Sequence, residues 1–512
     1  MYSFGRFIVA GIILLLVGTA PSSATCVPRN IGTPAPQDPV ARALAAQSTC
    51  PKNTAEFTEA LKRLGARMEP TMVNFAGFHN PEAGGFFIFE IVSSAGTPPS
   101  NFKVDRGDLL FGHLTNVTND GQLVSNNQGL TIELIAWDPG KQFYNFYELV
   151  SGNWFYRGDS KDILDDVQLL HRQRSASTEP FGPRLRCSGC HINGGLLQKE
   201  LTPPHNDWFR QDRPLPLGSL KPDAFIRGKL TDLVDAGELS KQVVASARRL
   251  AASPGYRKVL EARSMQEQLR PLFCPMEVNI ESDSAPFDDR KPMLQIPSAF
   301  FVDSRLATAT ISAKREHYEA ALQKMRSSLP ETPGRTDADH GWLAPVKAQS
   351  DVAIVDALIA QGIVDSEFAT AVLAVDLTNP VFSKTRCGLL KLVPDRAGSD
   401  FVARFRVALR GASEPGAAEL LDNLSNPARN AAFHRQQAQS FLTSCQQHSS
   451  DPEGILNWLR LLAQRRVEVS ASEISQNQKG RILEDPERVV FPSTQPQAVA
   501  GRLRLTPTCQ VQ

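Results

Sequence analysis

The sequence predicts an α+β protein. An antiparallel β unit is followed by a small helical domain and then by a mostly helical C-terminal region. Three observations predict it. Residues 84–158 hold five short runs rich in aromatic and β-branched residues, separated by turn signals. From about residue 237 the apolar spacing changes to the helical i, i+3, i+4 pattern. A polar, Pro- and Asp-containing stretch at residues 279–297 separates two blocks of that pattern.

The elements follow in order. Residues 25–83 form a Pro-rich arm and a helix over residues 54–68, with Phe57, Leu61 and Leu64 on one side and Thr54 as its cap. The β unit spans 84–170. Its runs start near Gly85, Asp108, Leu130, Phe143 and Asn153. The turns are Thr118-Asn119-Asp120-Gly121, Asp138-Pro139-Gly140-Lys141 and Ser151-Gly152. Such short connections favour antiparallel neighbours over parallel ones. The aromatic stripe Trp137, Tyr144, Phe146, Trp154 and Tyr156 reads as sheet core. Residues 171–298 contain helical patterns at 237–250, 256–262 and 264–273, and Ser264 with Glu267 forms a capping box. Residues 299–466 carry further helices, including 312–325, 350–361, 366–375, 401–409, 427–446 and 452–465. Residues 467–512 form a polar tail, ordered near Cys509.

The chain has 512 residues, 41% of them hydrophobic, and a formal net charge of +1. It can bury cores, and without a basic excess it gives no sign of nucleic-acid binding. Residues 7–17 (FIVAGIILLLV) follow Arg6 and precede Pro21 and the small residues Ser22, Ser23 and Ala24. This is the pattern of an export signal cleaved after Ala24. The run is short of the roughly 20 apolar residues that span a bilayer. The expected mature chain is therefore periplasmic or otherwise exported, with no membrane span. No metalloprotease H-E-x-x-H, phosphate-binding loop or G-x-S-x-G is present. Asp337, Asp339 and His340 form a weak candidate metal loop that lacks the further ligands of a calcium site.

Eight cysteines are present, and an exported chain can keep disulfides. Six are scattered. Proximity pairs Cys26 with Cys50. Elimination then suggests Cys387 with Cys445 and Cys274 with Cys509, among fifteen possible connectivities. The other two lie in Cys187-Ser188-Gly189-Cys190-His191, a C-x-x-C-H run. At this chain's own Cys and His frequencies such a run arises by chance about 0.002 times. Each of its residues suits covalent haem attachment. The thiols of Cys187 and Cys190 add across the two vinyl groups of the porphyrin, giving thioethers. The two-residue spacer matches the vinyl separation. His191 then stands under the iron as proximal axial ligand. A redox C-x-x-C would follow a strand, whereas residues 175–183 (SASTEPFGP) form a polar loop. A zinc site would need a second paired cluster.

On Cys187, Cys190, His191 and the following Gly194-Gly195, the chain resembles the bacterial c-type cytochromes over residues 180–210. The resemblance implies that the small helical domain, residues 171–298, is a cytochrome c-like haem domain with one covalent haem c and its iron, and that it exchanges single electrons with a redox partner protein or a small-molecule donor or acceptor. The chain is several times longer than the small soluble cytochromes c. It also lacks a Met followed by a short C-terminal helix at their usual distance. For the sixth ligand, His205 is the first choice, in a loop stiffened by Pro203 and Pro204 beside Trp208. Met265, Met276, His79, His113 and an open or water-bound position are the alternatives. An open position would suit a peroxidase- or oxygenase-type enzyme, or a sensor of redox state or a diatomic gas, instead of a carrier.

Overall fold

The computed structural model describes residues 25–31, 33–74, 86–96, 102–125, 129–164, 191, 193–196, 209, 211, 217–274, 278–281, 292–325, 344–478 and 503–512. The fold is α+β, as the sequence predicts: a six-stranded antiparallel sheet with helices on both sides. The sheet runs β1 (Ala66–Asn74), β2 (Phe86–Ser94), β3 (Leu109–Leu114), β6 (Leu130–Asp138), β7 (Phe143–Val150) and β8 (Asn153–Asp159). The short β4 (Asn116–Val117) and β5 (Gln122–Val124) leave this order and pair with β9 (Lys221–Pro222) in a small second sheet.

The five β runs of the sequence are all strands, and the turns behave as their residues demand. Between β7 and β8, Ser151 (φ 47°) and Gly152 (φ 72°) are both left-handed, the geometry of a tight hairpin whose twist matches the strands. Between β6 and β7, the Asp138 carboxylate accepts from the amides of Gly140 and Lys141. The sixth strand, β1, is a correction. The helix expected over 54–68 is α2 (Thr54–Arg63), and it stops because Gly65 (φ 84°) takes the left-handed C-terminal position. The chain then runs into β1, fully paired with β2.

Period-two alternation gives the sheet two apolar faces. The arm face carries Phe111, Leu134, Tyr147, Trp154 and Tyr156, packed under α1 (Pro39–Ala45) and α2. Asp38, at the N-terminus of α1, is fully buried and accepts from Asn145 and the Tyr147 hydroxyl. Burial raises the Asp38 carboxyl, against the pull of these hydrogen bonds. The inner face carries Ile135, Tyr144 and Phe146, and, toward β2, Leu110 and Phe87. The aromatic stripe therefore splits: Tyr144 and Phe146 lie on one face, Trp154 and Tyr156 on the other.

The inner face is covered by α4 (Ala236–Ala252), whose Leu239 and Val243 meet Phe87 and Leu110. The preceding α3 (Ala224–Leu230) caps the edge of the arm face with Ile226. Leu250 of α4, Tyr256 of α5 (Pro254–Glu261) and Leu269 of α6 (Met265–Phe273) belong to the same core as the helices beyond residue 300. Those are α7 (Arg315–Met325), α8 (Gln349–Ala360), α9 (Ser366–Ala374), α10 (Lys384–Gly388), α11 (Phe401–Arg410), α12 (Ala417–Asn423), α13 (Pro427–His448) and α14 (Pro452–Gln478). The capping box at Ser264 and Glu267 is present, and Asp451 accepts from the amides of Glu453 and Gly454 at the start of α14. One core thus continues from the inner face of the sheet to the last helix.

Three disulfides tie this arrangement together. Cys26–Cys50 forms as proximity suggests. The other two correct the pairing reached by elimination: Cys274 bonds Cys387, and Cys445 bonds Cys509. Cys274 ends α6 where that helix meets α10, which carries Cys387. Cys445 lies on the buried side of α13, facing residues 503–512, where the Trp458 indole donates to the Cys509 carbonyl. The partners are set by helix packing, which spacing alone does not encode.

Gly112 of β3 has the Phe87 ring lying across it; an added Cβ would stand 2.1 Å from that ring. Gly112→Ala should force the ring off the inner face and destabilise the fold by about 1–3 kcal/mol, read as a lower midpoint in urea unfolding.

Candidate functional site

Of the residues singled out for haem binding, His191 lies among the described residues. Cys187, Cys190 and His205 lie outside them, as do His79, Met276, Trp208 and the loop of Asp337, Asp339 and His340. The turn that His191 opens is built from short-range contacts. The Gly194 amide donates to the His191 carbonyl at 2.7 Å. Nδ1 of His191 lies 2.8 Å from the Gly195 carbonyl oxygen. A carbonyl oxygen can only accept, so Nδ1 carries the proton, and in the neutral ring Nε2 carries the lone pair. This is the tautomer that a metal-ligating histidine needs, held by a backbone carbonyl in the manner of an outer-shell partner.

The turn is gripped from both sides of the fold. The His191 ring lies against Phe146 of the inner sheet face, with centroids 5.2 Å apart and planes tilted by 51°. Gly194 is left-handed (φ 69°) and lies against residue 160, just past β8; an added Cβ would stand 2.8 Å from the Ser160 carbonyl oxygen. On the opposite side, Gly195 faces Leu250 of α4. The buried Asn193 donates to the Ser350 hydroxyl at 2.9 Å, in the first turn of α8. Leu196 packs into both the sheet-side and the helical cores. The turn therefore stands where the β unit meets the helices.

Beside it lies a polar cluster on the same face. Arg249 of α4 donates to the Tyr144 hydroxyl and to the Gly107 carbonyl, and pairs with Asp108. Its guanidinium lies 4.6 Å from the Trp137 ring centroid. This cluster fixes α4 on the sheet. Sequence patterning alone does not single it out, because Arg249 lies more than 100 positions from each of its partners.

Two alternative sixth ligands lie among the described residues. Met265 is 1% exposed and fills the helical core at the start of α6, so packing accounts for it. His113 is correctly a strand residue, but it lies on the arm face. It pairs in register with Ile132, beside Phe111, whereas Phe146 faces the other way. A group bound by His191 on the inner face has the sheet between it and His113. The His113 ring is fully buried, with Nε2 3.4 Å from Glu90, and Glu90 also pairs with Lys229 of α3. Among the described residues, no three His, Cys, Asp or Glu side chains converge on a position for a metal ion. Of the residues that would hold a haem, His191 is the one among the described residues whose ring state is on the page: its Nδ1 contact to the Gly195 carbonyl leaves Nε2 as the nitrogen able to bind a metal.

Two predictions follow from these contacts. Gly194→Ala should destabilise the protein by about 1–3 kcal/mol, through both the left-handed backbone and the Ser160 contact, whereas Gly195→Ala should be nearly neutral in the same thermal melt. Burial holds the His113 imidazole below its ordinary value of 6.5, outweighing the opposing influence of Glu90. As pH falls below 6.5 the unfolded chain binds a proton that the folded one refuses, so stability is lost on acidification. His113→Gln should flatten the fall in unfolding free energy below pH 6.5 by up to about 1.4 kcal/mol per pH unit.

No protein-family model, curated protein or solved structure matches this chain, so its functional reading rests on its own residues.

Proposed function

We propose that the chain is an exported mono-haem c-type cytochrome that carries single electrons. Cys187 and Cys190 hold the porphyrin through thioethers, His191 is the proximal ligand, and His205 takes the sixth position. The observation that carries this reading is the state of His191. The residue that directly follows C-x-x-C has its Nδ1 proton committed to the Gly195 carbonyl, which directs Nε2 to ligation.

Haem c, when bound, supplies an iron that cycles between ferric and ferrous forms. The chain's part is to hold the imidazole in one tautomer and one orientation. Gly195 does the first. Phe146, buried on the inner face, does the second by lying against the ring. The three disulfides fit an oxidising compartment, and among the described residues no helix is long and apolar enough to cross a membrane.

The test is to express the chain with an export pathway and c-type maturation, then denature it in alkaline pyridine. The expected result is a haem that stays with the chain and gives the spectrum of a porphyrin with both vinyls saturated. Cys187→Ser with Cys190→Ser should lower covalent haem content at least about tenfold. Matured protein without haem overturns the reading. A high-spin spectrum that responds to carbon monoxide would keep the haem but replace the carrier by an enzyme or a sensor.

A further inference from the structure

We infer that α3 is a flap that acid opens: His113 and Lys229 share one oxygen of Glu90 and so latch the helix to the arm face, and a proton taken up by His113 breaks the latch. The inference does not depend on a haem at His191. Nε2 of His113 lies 3.4 Å from Oε1 of Glu90, and Nζ of Lys229 pairs with the same oxygen. Glu90 and His113 are wholly out of solvent, and the Lys229 side chain is 12% exposed. Among the described residues, Nδ1 of His113 has no hydrogen-bond partner, and Nε2 stands beside Glu90 without the alignment of a hydrogen bond. The Phe225 ring of α3 closes edge-on over the imidazole, with centroids 5.6 Å apart.

The two ends of α3 are held differently. Before its first residue, the Asp223 carboxylate accepts from the Ile226 amide and from the amide and hydroxyl of Ser125, and the Asp223 amide donates to the Leu123 carbonyl. At the other end Lys229 and Glu90 make the tie. The chain is next anchored at Val234, whose amide donates to the Pro70 carbonyl. Of the seven residues of α3, Ile226 is the buried one, in a cluster with Met72, Phe86, Ile88 and Leu123. So short a helix does not persist without its contacts. His113 cannot yield in its place, because β3 is paired with β2 on one side and β6 on the other. Loss of the Lys229 tie therefore frees the stretch between Asp223 and Val234 and uncovers the apolar patch beneath Ile226.

Charge supplies the trigger. Among the described residues, the charged groups that face His113 are Glu90 of β2, Lys229 of α3 and Asp223 before α3, while β6 offers Ile132. With His113 neutral, Glu90 and Lys229 cancel. With His113 protonated, two cations crowd one buried oxygen where little water screens them. In the closed form burial holds the imidazole below its ordinary value of 6.5. In the open form water reaches it. The open form thus binds a proton that the closed one refuses. The ratio of open to closed rises by up to about tenfold per pH unit as pH falls below 6.5, and is constant above it.

The experiment is hydrogen exchange on the folded full-length chain from about pH 8 to about pH 5, corrected for the intrinsic pH dependence of amide exchange. The amides of residues 226–230 should lose protection by up to about tenfold per pH unit below 6.5, while those of β6 and β7 stay protected. His113→Gln should make α3 protection independent of pH. Lys229→Met leaves Glu90 to His113 alone and should abolish or reverse the acid loss. Glu90→Gln strands the Lys229 charge and should lower α3 protection at least about tenfold even near pH 8; if it does not fold, the other two variants decide. Native α3 protection that does not change with pH overturns the inference. So does a loss that β6 and β7 share equally, which is global unfolding, or a loss that persists in His113→Gln.

Discussion

The burial of residues 193–195, the turn that follows His191, between a β-sheet and a helical core is the constraint on which the rest of the molecule depends. Such a turn can be buried only if its polar groups find partners inside the protein. Here the Gly194 amide, the His191 Nδ1 and the Asn193 side-chain nitrogen meet that demand within the turn or across to Ser350. The close approach on the sheet side requires a residue without a Cβ, and Gly194 provides it. Once these conditions are met, His191 has one tautomer and one ring plane. The same constraint explains why α4 must lie flat on the sheet, with Arg249 bound to Tyr144 and Asp108.

The sheet gives its two faces different duties. The arm face is closed by α1 and α2, and its buried carboxylate Asp38 is satisfied by Tyr147 and Asn145. That face also holds the Glu90–His113–Lys229 group under α3. The inner face meets the turn and the helices, and it carries two ion pairs, Arg249–Asp108 and Glu148–Arg157. Buried ion pairs are weak devices for stability, because desolvation offsets most of the attraction.

Much of the architecture was legible in the residues. The five β runs declared themselves by alternation and by turn chemistry such as Asp138 and Ser151-Gly152, and α6 by its capping box. β1 was not legible, because ARMEPTMVN mixes charges and a proline into an edge strand, and Gly65 alone marked the helix end. The disulfides Cys274–Cys387 and Cys445–Cys509 bridge 113 and 64 residues, distances at which helix packing decides the partner. At the candidate site the motif itself was plain, and so were Gly194 and Gly195. Its neighbours were not: Phe146, Ser160, Leu250 and Ser350 come from four parts of the chain. Phe146 was visible only as one member of an aromatic stripe whose two faces the sequence did not separate.

The grip on the turn also has an order in time. Phe146 and Ser160 precede His191 in the chain, whereas Leu250 and Ser350 follow it, the latter by 159 positions. As a nascent chain emerges, the sheet-side wall is available at once. The helical side cannot close until α8 has appeared, roughly 8–30 s later at ordinary synthesis rates. During that interval the segment around His191 is open on one flank, and any machinery that must work on it has its access then.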